Sequence, residues 1–301
     1  MKKIIYAKQV SENVLKDLNP NNKIHSIFEN GINIKGQDGL IFIGSEKRGR
    51  LPFGIHLKDK DIKELTNVNK EDIFKFNPNK KHLTVKDRII DLNKAKLYSP
   101  KLPKDETDTK DKDGRKLKTT LKGKHSREDK TNAKGPILDF VLEEIIKMDL
   151  TTGLDLTIRE ILSKENPLIQ HLKDSLSSQD IDFIKTTLQK IIGRGRGLTP
   201  SGDDLLIGLI WFNNIKSILS QEFIQTLKEL ILANNLTTDI SINYYKAAFK
   251  DLYSSTLIDL YKSIKDNNKE AIKLNLRNIT NYGHTSGYDT LSGIALAIDR
   301  A

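Results

Sequence analysis

Two stretches of the chain repeat one arrangement of small, polar and acidic residues. Ser201-Gly202-Asp203-Asp204-Leu205-Leu206-Ile207-Gly208 and Ser286-Gly287-Tyr288-Asp289-Thr290-Leu291-Ser292-Gly293 share the pattern S-G-x-D-x-L-x-G, 85 residues apart (201 to 286). The first follows Gly193-Arg194-Gly195-Arg196-Gly197, the second Gly283-His284-Thr285. Glycines let a chain turn through positive φ and bare its N–H groups. Thr199-Pro200-Ser201 then reads as a helix start. The unpaired N–H groups and positive dipole end of a helix favour an anion. Arg194 and Arg196 add permanent charges with forked donors suited to carboxylate or phosphate. The expected anion site therefore comprises Arg194, Gly195, Arg196, Gly197, Thr199, Ser201 and Gly202 from the first copy. Thr285, Ser286 and Gly287 come from the second.

A capping box explains part of the pattern without any ligand, because Ser201 with Asp204 and Ser286 with Asp289 both have S-x-x-D spacing. Capping does not explain the glycine after each serine, nor Gly208 and Gly293 inside the helices. An interior helical glycine costs about 1 kcal/mol relative to alanine. Its recurrence at one offset predicts that the two backbones approach closely and bring both helix starts to the same side. A phosphate loop would need lysine after the last glycine, and the dinucleotide fingerprint would need a preceding strand and glycine in place of Leu198. His284 is the acid–base candidate, with a plain hydrogen-bond donor as the alternative. Asp204 and Asp289 are candidates to orient donors. With Asp203 they are also the candidates for Mg²⁺, which prefers carboxylate oxygen. Adjacent carboxylates on a helix point about 100° apart, so Asp204 with Asp289 is the better chelating pair. Thr237-Thr238-Asp239-Ile240-Ser241 is a third polar helix start, read as an N-cap. The other five histidines, His25, His56, His82, His125 and His171, read as surface or strand residues.

These residues sit in the part of the chain with a 3.6-residue apolar period. From Pro136 onward Ile137, Phe140, Val141, Ile145 and Ile146 share one face, and further helical stretches follow to Ile298. Ile181 to Ile192 runs into Gly193, and Leu205 to Leu219 carries the only tryptophan, Trp211. The first hundred residues instead show short apolar runs between turns. Val10 to Leu18 reads as an opening helix. Asn30-Gly31 marks a hairpin turn, Ile32-Asn33-Ile34 alternates, and Leu40-Ile41-Phe42-Ile43 is a continuous apolar strand. Arg88 to Tyr98 reads as a closing hairpin. The expected fold is α+β: a small β-rich barrel or sandwich over 1–98, a charged linker or insertion over 99–135, and an all-helical domain over 136–301.

The chain has 301 residues and a net charge of +10. Between Pro100 and Lys134 there are 12 Lys/Arg against 7 Asp/Glu, half of the whole excess, with no aromatic residue. That stretch offers phosphates charge without a stacking platform, so a solvated linker is the preferred reading over a nucleic-acid surface. The chain contains no cysteine, which excludes disulfides, zinc–thiolate sites and a thiol nucleophile. No apolar run approaches the roughly 18 residues of a membrane span, and a cytoplasmic location is expected.

The run Gly193 to Asp204, with Gly283 to Gly293, resembles a bacterial family associated with one subunit of oxamate carbamoyltransferase in anaerobic allantoin breakdown. Leu51-Pro52-Phe53-Gly54-Ile55 is similar to that family's Gly-Pro-Phe-Gly segment, with Leu51 in place of the first glycine. The likeness spans most of the chain outside 99–135. It implies transfer of a carbamoyl group between carbamoyl phosphate and oxamate, running in breakdown from oxalurate and phosphate. It also implies small anionic substrates and companion carbamoyltransferase subunits. An alternative is a non-catalytic assembly or anion-binding subunit of the same complex.

Overall fold

A computed structural model describes residues 2–47, 49–103, 135–233, 235–281 and 283–301. Most of the charged stretch, 104–134, including His125, lies outside the described residues. The strands are β1 (Lys3–Tyr6), β2 (Gln9–Ser11), β3 (Asn21–Phe28), β4 (Gly31–Lys35), β5 (Leu40–Gly44), β6 (Gly54–His56), β7 (Ile73–Asn77), β8 (His82–Val85), β9 (Arg88–Asp91) and β10 (Lys96–Tyr98). Two short helices, α1 (Val14–Asp17) and α2 (Asp59–Leu65), lie among them. The second half holds α3 (Pro136–Lys147), α4 (Ile158–Leu162), α5 (Pro167–Ser175), α6 (Ile181–Ile191) and α7 (Ser201–Asn213). It continues with α8 (Gln221–Ala233), α9 (Asp239–Ala248), α10 (Ser255–Lys265), α11 (Lys269–Thr280) and α12 (Ser286–Arg300). The molecule is α+β, a curled sheet followed by helices.

The strands form one sheet in the order β1-β9-β8-β7-β3-β4-β5-β6-β2-β10. Only Ala7 and Lys8 separate β1 from β2, yet the two strands stand near opposite ends of that order. Both linking residues continue the pairing, Ala7 N–H to Asp91 O at 2.9 Å and Lys8 N–H to His56 O at 2.8 Å. The sheet therefore curls round into a half-barrel. Ile32, Ile34, Ile41, Ile43, Ile55, Leu83 and Ile90 fill its inside.

The expected hairpin at Asn30-Gly31 forms as β3 and β4 in antiparallel register, Phe28 opposite Gly31. Two readings are corrected. Val10 belongs to β2, paired with Ile55 and Leu97, and helix begins only at Val14. A β-branched side chain at zero exposure in a strand pair outweighs the helical spacing. Arg88 to Tyr98 is no hairpin, because β9 pairs parallel with β1 and β10 parallel with β2. The turn between them carries the chain from one piece of the N-terminal segment to the next.

Helices α7 and α12 are central to the helical part. Residues 201–212 of α7 are all buried, as expected for a helix apolar all round. The sheet is fastened to the helices by backbone-like bonds. Asn243 on α9 accepts from Leu40 N–H at 2.8 Å and donates to Leu40 O at 3.0 Å. Ser255 N–H donates to Arg50 O at 2.9 Å, and Phe53 meets Tyr244 edge-on at 5.1 Å between ring centroids. Leu102, past the last strand, is buried with the helices, and Tyr253 N–H donates to Pro100 O at 2.8 Å.

Candidate active site at paired helix starts

The repeated glycines set the crossing of α7 and α12. A Cβ on Gly208 would stand 2.2 Å from Thr290 O, and one on Gly293 would stand 1.9 Å from Leu205 O. Each glycine thus faces the backbone of the other helix. The glycine after each serine has a matching purpose. A Cβ on Gly202 would meet Ile191 O, and one on Gly287 would meet Ile279 O, both at 2.0 Å. Each helix start therefore leans on the end of the preceding helix, α6 or α11. The sequence repeat is a structural repeat, helix–turn–helix used twice and crossed at its second helices.

The crossing brings the two turns together. Thr199 Oγ1 and Ser286 Oγ are 2.7 Å apart. The capping box does not form: Ser201 and Ser286 are first residues inside their helices, and neither helix has a side-chain cap. Instead each aspartate lies with the serine hydroxyl of the other copy and the threonine hydroxyl of its own. Ser286 and Thr199 act on Asp204, and Ser201 and Thr285 act on Asp289. The exchange leaves both helix starts free of side-chain caps at one place in the fold.

Arg194, Gly195, Arg196, Gly197, Ser201, His284 and Thr285 line one cavity of 610 Å³. Both arginines and His284 are exposed along it. Gly193, Gly195 and Gly197 all take positive φ, which swings the arginine-bearing loop out before the helix begins. Gly153, Leu154 and Asp155, between α3 and α4, complete the wall. Sequence reasoning missed this segment. Gly153 N–H donates to Asp289 Oδ1 at 2.9 Å, and a Cβ there would stand 2.2 Å from Ser201 Oγ. Its signal was a glycine after two threonines, too common to single out.

The remaining predicted residues divide. Thr199, Asp204, Ser286 and Gly287 line a different cavity of 320 Å³ between the helices and the sheet. Gly202 packs beneath the turn and lines neither. Asp289 is buried between the two helix starts. Asp203 is buried and anchors the loop. It accepts from Gly193 N–H at 3.0 Å and Tyr245 OH at 3.1 Å, and from Thr237 Oγ1. Thr238 caps α9 by accepting from Ser241 N–H, and its hydroxyl donates to Leu198 O at 2.6 Å. The third polar start thus caps its own helix and braces the arginine loop.

Burial raises all three carboxyls above the ordinary range, Asp204 most strongly. Loss of solvation is the first cause in each, opposed by the surrounding donors. Asp204 is further raised by the charges of Asp289 and Asp203. Burial disfavours the charged form of Asp204 and so lessens its repulsion of an anion nearby. Ser201 Oγ, Asp204 Oδ2 and Asp289 Oδ2 are buried without a hydrogen-bond partner. Buried polar atoms normally find one, and here they lie among the hydroxyls that act on the two carboxyls, Ser286 and Thr199 on Asp204 and Ser201 and Thr285 on Asp289. Among the described residues no group of three His, Cys, Asp or Glu side chains is placed to hold a metal ion. The donors on Asp203 leave it little capacity for one.

His56, at the end of β6, is buried, and loss of solvation lowers its pKa to about 4. Its Nε2 accepts from Leu51 N–H at 3.1 Å, while Nδ1 faces Ser45 O at 3.3 Å. Tyr98 OH donates to Leu51 O at 2.6 Å. These bonds fix Leu51-Pro52-Phe53 on the wall of the smaller cavity. A Cβ on Gly54 would strike His56 Nε2 at 2.3 Å. Leu51 lies outside the left-handed region, so its replacement of glycine is accommodated.

No solved structure matches the chain. Residues 191–298 match the family described as oxamate carbamoyltransferase subunit AllH, and residues 4–97 match the AllH family N-terminal domain. The two matches take in the half-barrel, both glycine-rich turns and the crossed helices. The chain belongs to the AllH family of oxamate carbamoyltransferase subunits.

Proposed function

We propose that this subunit binds the small anions of carbamoyl transfer, oxamate or oxalurate with phosphate or carbamoyl phosphate, in the arginine-lined cavity. The observation that carries this reading is the meeting of two uncapped helix starts beside Arg194, Arg196 and His284. In the breakdown direction a phosphate oxygen attacks the carbamoyl carbon of oxalurate. The bond from that carbon to the oxamate nitrogen breaks, and the nitrogen takes a proton. Arg194 and Arg196 hold the carboxylate and phosphate charges. N–H groups of Gly195, Gly197 and Ser201 face the oxyanion that forms, donors fixed before the reaction starts, while Gly202 N–H is held by Arg194 O at 2.8 Å and braces the loop. Ser201 and Thr285 supply further donors, oriented by Asp289, while Thr199, Ser286, Gly287 and Asp204 back the turns from the neighbouring cavity. His284 delivers the proton. Such a reaction belongs to anaerobic allantoin breakdown in the cytoplasm, and no helix among the described residues is long and apolar enough to cross a membrane.

A second reading rests on the exposure of both arginines: the subunit supplies an anion-binding half-site and a companion subunit supplies the rest. Phosphate titration into the isolated chain, beside turnover of the reconstituted complex, separates the two. Arg194→Ala or Arg196→Ala should weaken anion binding about tenfold or more, as loss of a charged hydrogen bond does. Turnover by the chain alone favours a catalytic subunit, and binding without turnover favours the half-site. Unchanged phosphate binding in both variants refutes either form.

A further inference from the structure

Among the described residues, Asp155 is the one acidic wall residue of the arginine-lined cavity. Arg194, Arg196 and Asp155 are all exposed, and none of their side chains has an ion pair or hydrogen bond among the described residues. Two unpaired guanidiniums and one unpaired carboxylate therefore face the same 610 Å³ space.

The turn that carries Asp155 is held on several sides. Thr152 is buried, and both its N–H and its Oγ1 donate to Leu156 O, at 2.9 and 2.8 Å. Asp155 N–H donates to Thr152 O at 3.1 Å, and Thr151 bridges to Thr157, the cap of α4. Gly153 N–H is tied to Asp289 on α12. Asp155 itself takes a left-handed φ of +59°, which aspartate tolerates better than most residues. The carboxylate thus sits on a fixed turn, and binding a ligand there costs little ordering of the chain.

A carboxylate accepts hydrogen bonds and has none to give, whereas a guanidinium only donates. Together they complement a ligand with an anionic group at one end and an N–H2 group at the other. A dianion of the same outline suits the arginines but sets its second charge against Asp155. We infer that Asp155 determines specificity in this cavity. Its carboxylate accepts from the primary-amide N–H2 of a ligand whose carboxylate or phosphate Arg194 and Arg196 hold. The inference rests on the anion reading above, whose ligands oxamate, oxalurate and carbamoyl phosphate all end in such an amide.

The test is calorimetric titration of the full chain with oxamate and with oxalate, which has a second carboxylate in place of the amide. Salt of about 0.15 M screens charges more than about 8 Å apart. Asp155→Asn keeps the size, an acceptor and the left-handed turn, and adds an N–H2 donor. It should shift the oxalate-to-oxamate affinity ratio towards oxalate tenfold or more. Asp149→Asn removes the same charge from the same segment, also at a left-handed φ but outside the cavity wall, and should move the ratio less than twofold. Circular dichroism establishes that both variants fold. Phosphate titration into the parent, Arg194→Ala and Arg196→Ala checks the anion reading separately. A ratio that Asp155→Asn leaves within twofold, or that Asp149→Asn shifts as far, overturns the inference while the anion reading stands. So does phosphate binding without any oxamate binding. Phosphate binding untouched in both arginine variants overturns the anion reading, and the inference with it.

Discussion

Replacing Gly293 by alanine probes the contact on which the paired helix starts depend. On a free helix Gly→Ala stabilises by about 1 kcal/mol. Here the new Cβ would lie 1.9 Å from Leu205 O, 2.9 Å from Leu205 C and 3.0 Å from Leu209 N. All three are backbone atoms of a buried helix, so no side chain can swing away, and α7 and α12 must separate. Overpacking of a rigid core costs about 1–3 kcal/mol, and a backbone obstacle places this case at the upper end. After the propensity gain, the net loss should be about 2 kcal/mol. Gly208→Ala, whose Cβ would stand 2.2 Å from Thr290 O, should lose somewhat less. The double variant should lose less than the sum, because one separation relieves both clashes. Gly135→Ala, with no atom within 4 Å of its Cβ, is the control and should move stability by no more than about 0.5 kcal/mol. Urea unfolding gives the free energies, and phosphate titration shows whether separation spoils the anion cavity. A Gly293→Ala protein as stable as the parent, or more stable, refutes the close crossing and with it the shared position of the two turns.

Two further outcomes follow from the geometry. His56 has a folded pKa of about 4, below its ordinary 6.5, so protonation favours the unfolded chain. Its contribution is fully present above pH 6.5 and is lost as pH falls towards 4. The amount is about 3 kcal/mol, read as the difference in urea stability between the parent and His56→Gln across that window. A parallel pH dependence in the two proteins sinks the assignment. Asp203→Ala leaves Gly193 N–H, Thr237 and Tyr245 OH without their acceptor and should cost about 3 kcal/mol in thermal unfolding. Asp203→Asn, which keeps a carbonyl, should cost clearly less, and equal losses would show that the donors do not matter.

Local signals were legible where chemistry and conformation coincide in a few residues. Asn30-Gly31 marked its hairpin, and the apolar periods after Pro136 marked the helices. Gly208 and Gly293 at matching offsets pointed to a close helix approach, because little except a tight crossing requires glycine there. Non-local pairing was not legible. The N-terminal segment forms two strands at opposite ends of the sheet order, and β9 and β10 each find one of them. Nothing within Arg88 to Tyr98 distinguishes that from a hairpin. Strand β7 carried an alternating Ile73-Phe74-Lys75-Phe76, a readable pattern whose partner, β3, lies about fifty residues earlier in the chain.

The sequence by itself determined which residues can turn tightly, carry charge and start helices, since those are properties of a residue and its near neighbours. Only the tertiary structure decided that each aspartate lies with the serine of the opposite copy rather than closing its own cap. It also decided that the predicted residues divide between two cavities, and that Gly153 lines the one with the arginines. Capping, burial and orphaned polar atoms depend on what the far chain brings into contact. That is set by how α7 and α12 cross and where the half-barrel docks, which no local spacing encodes.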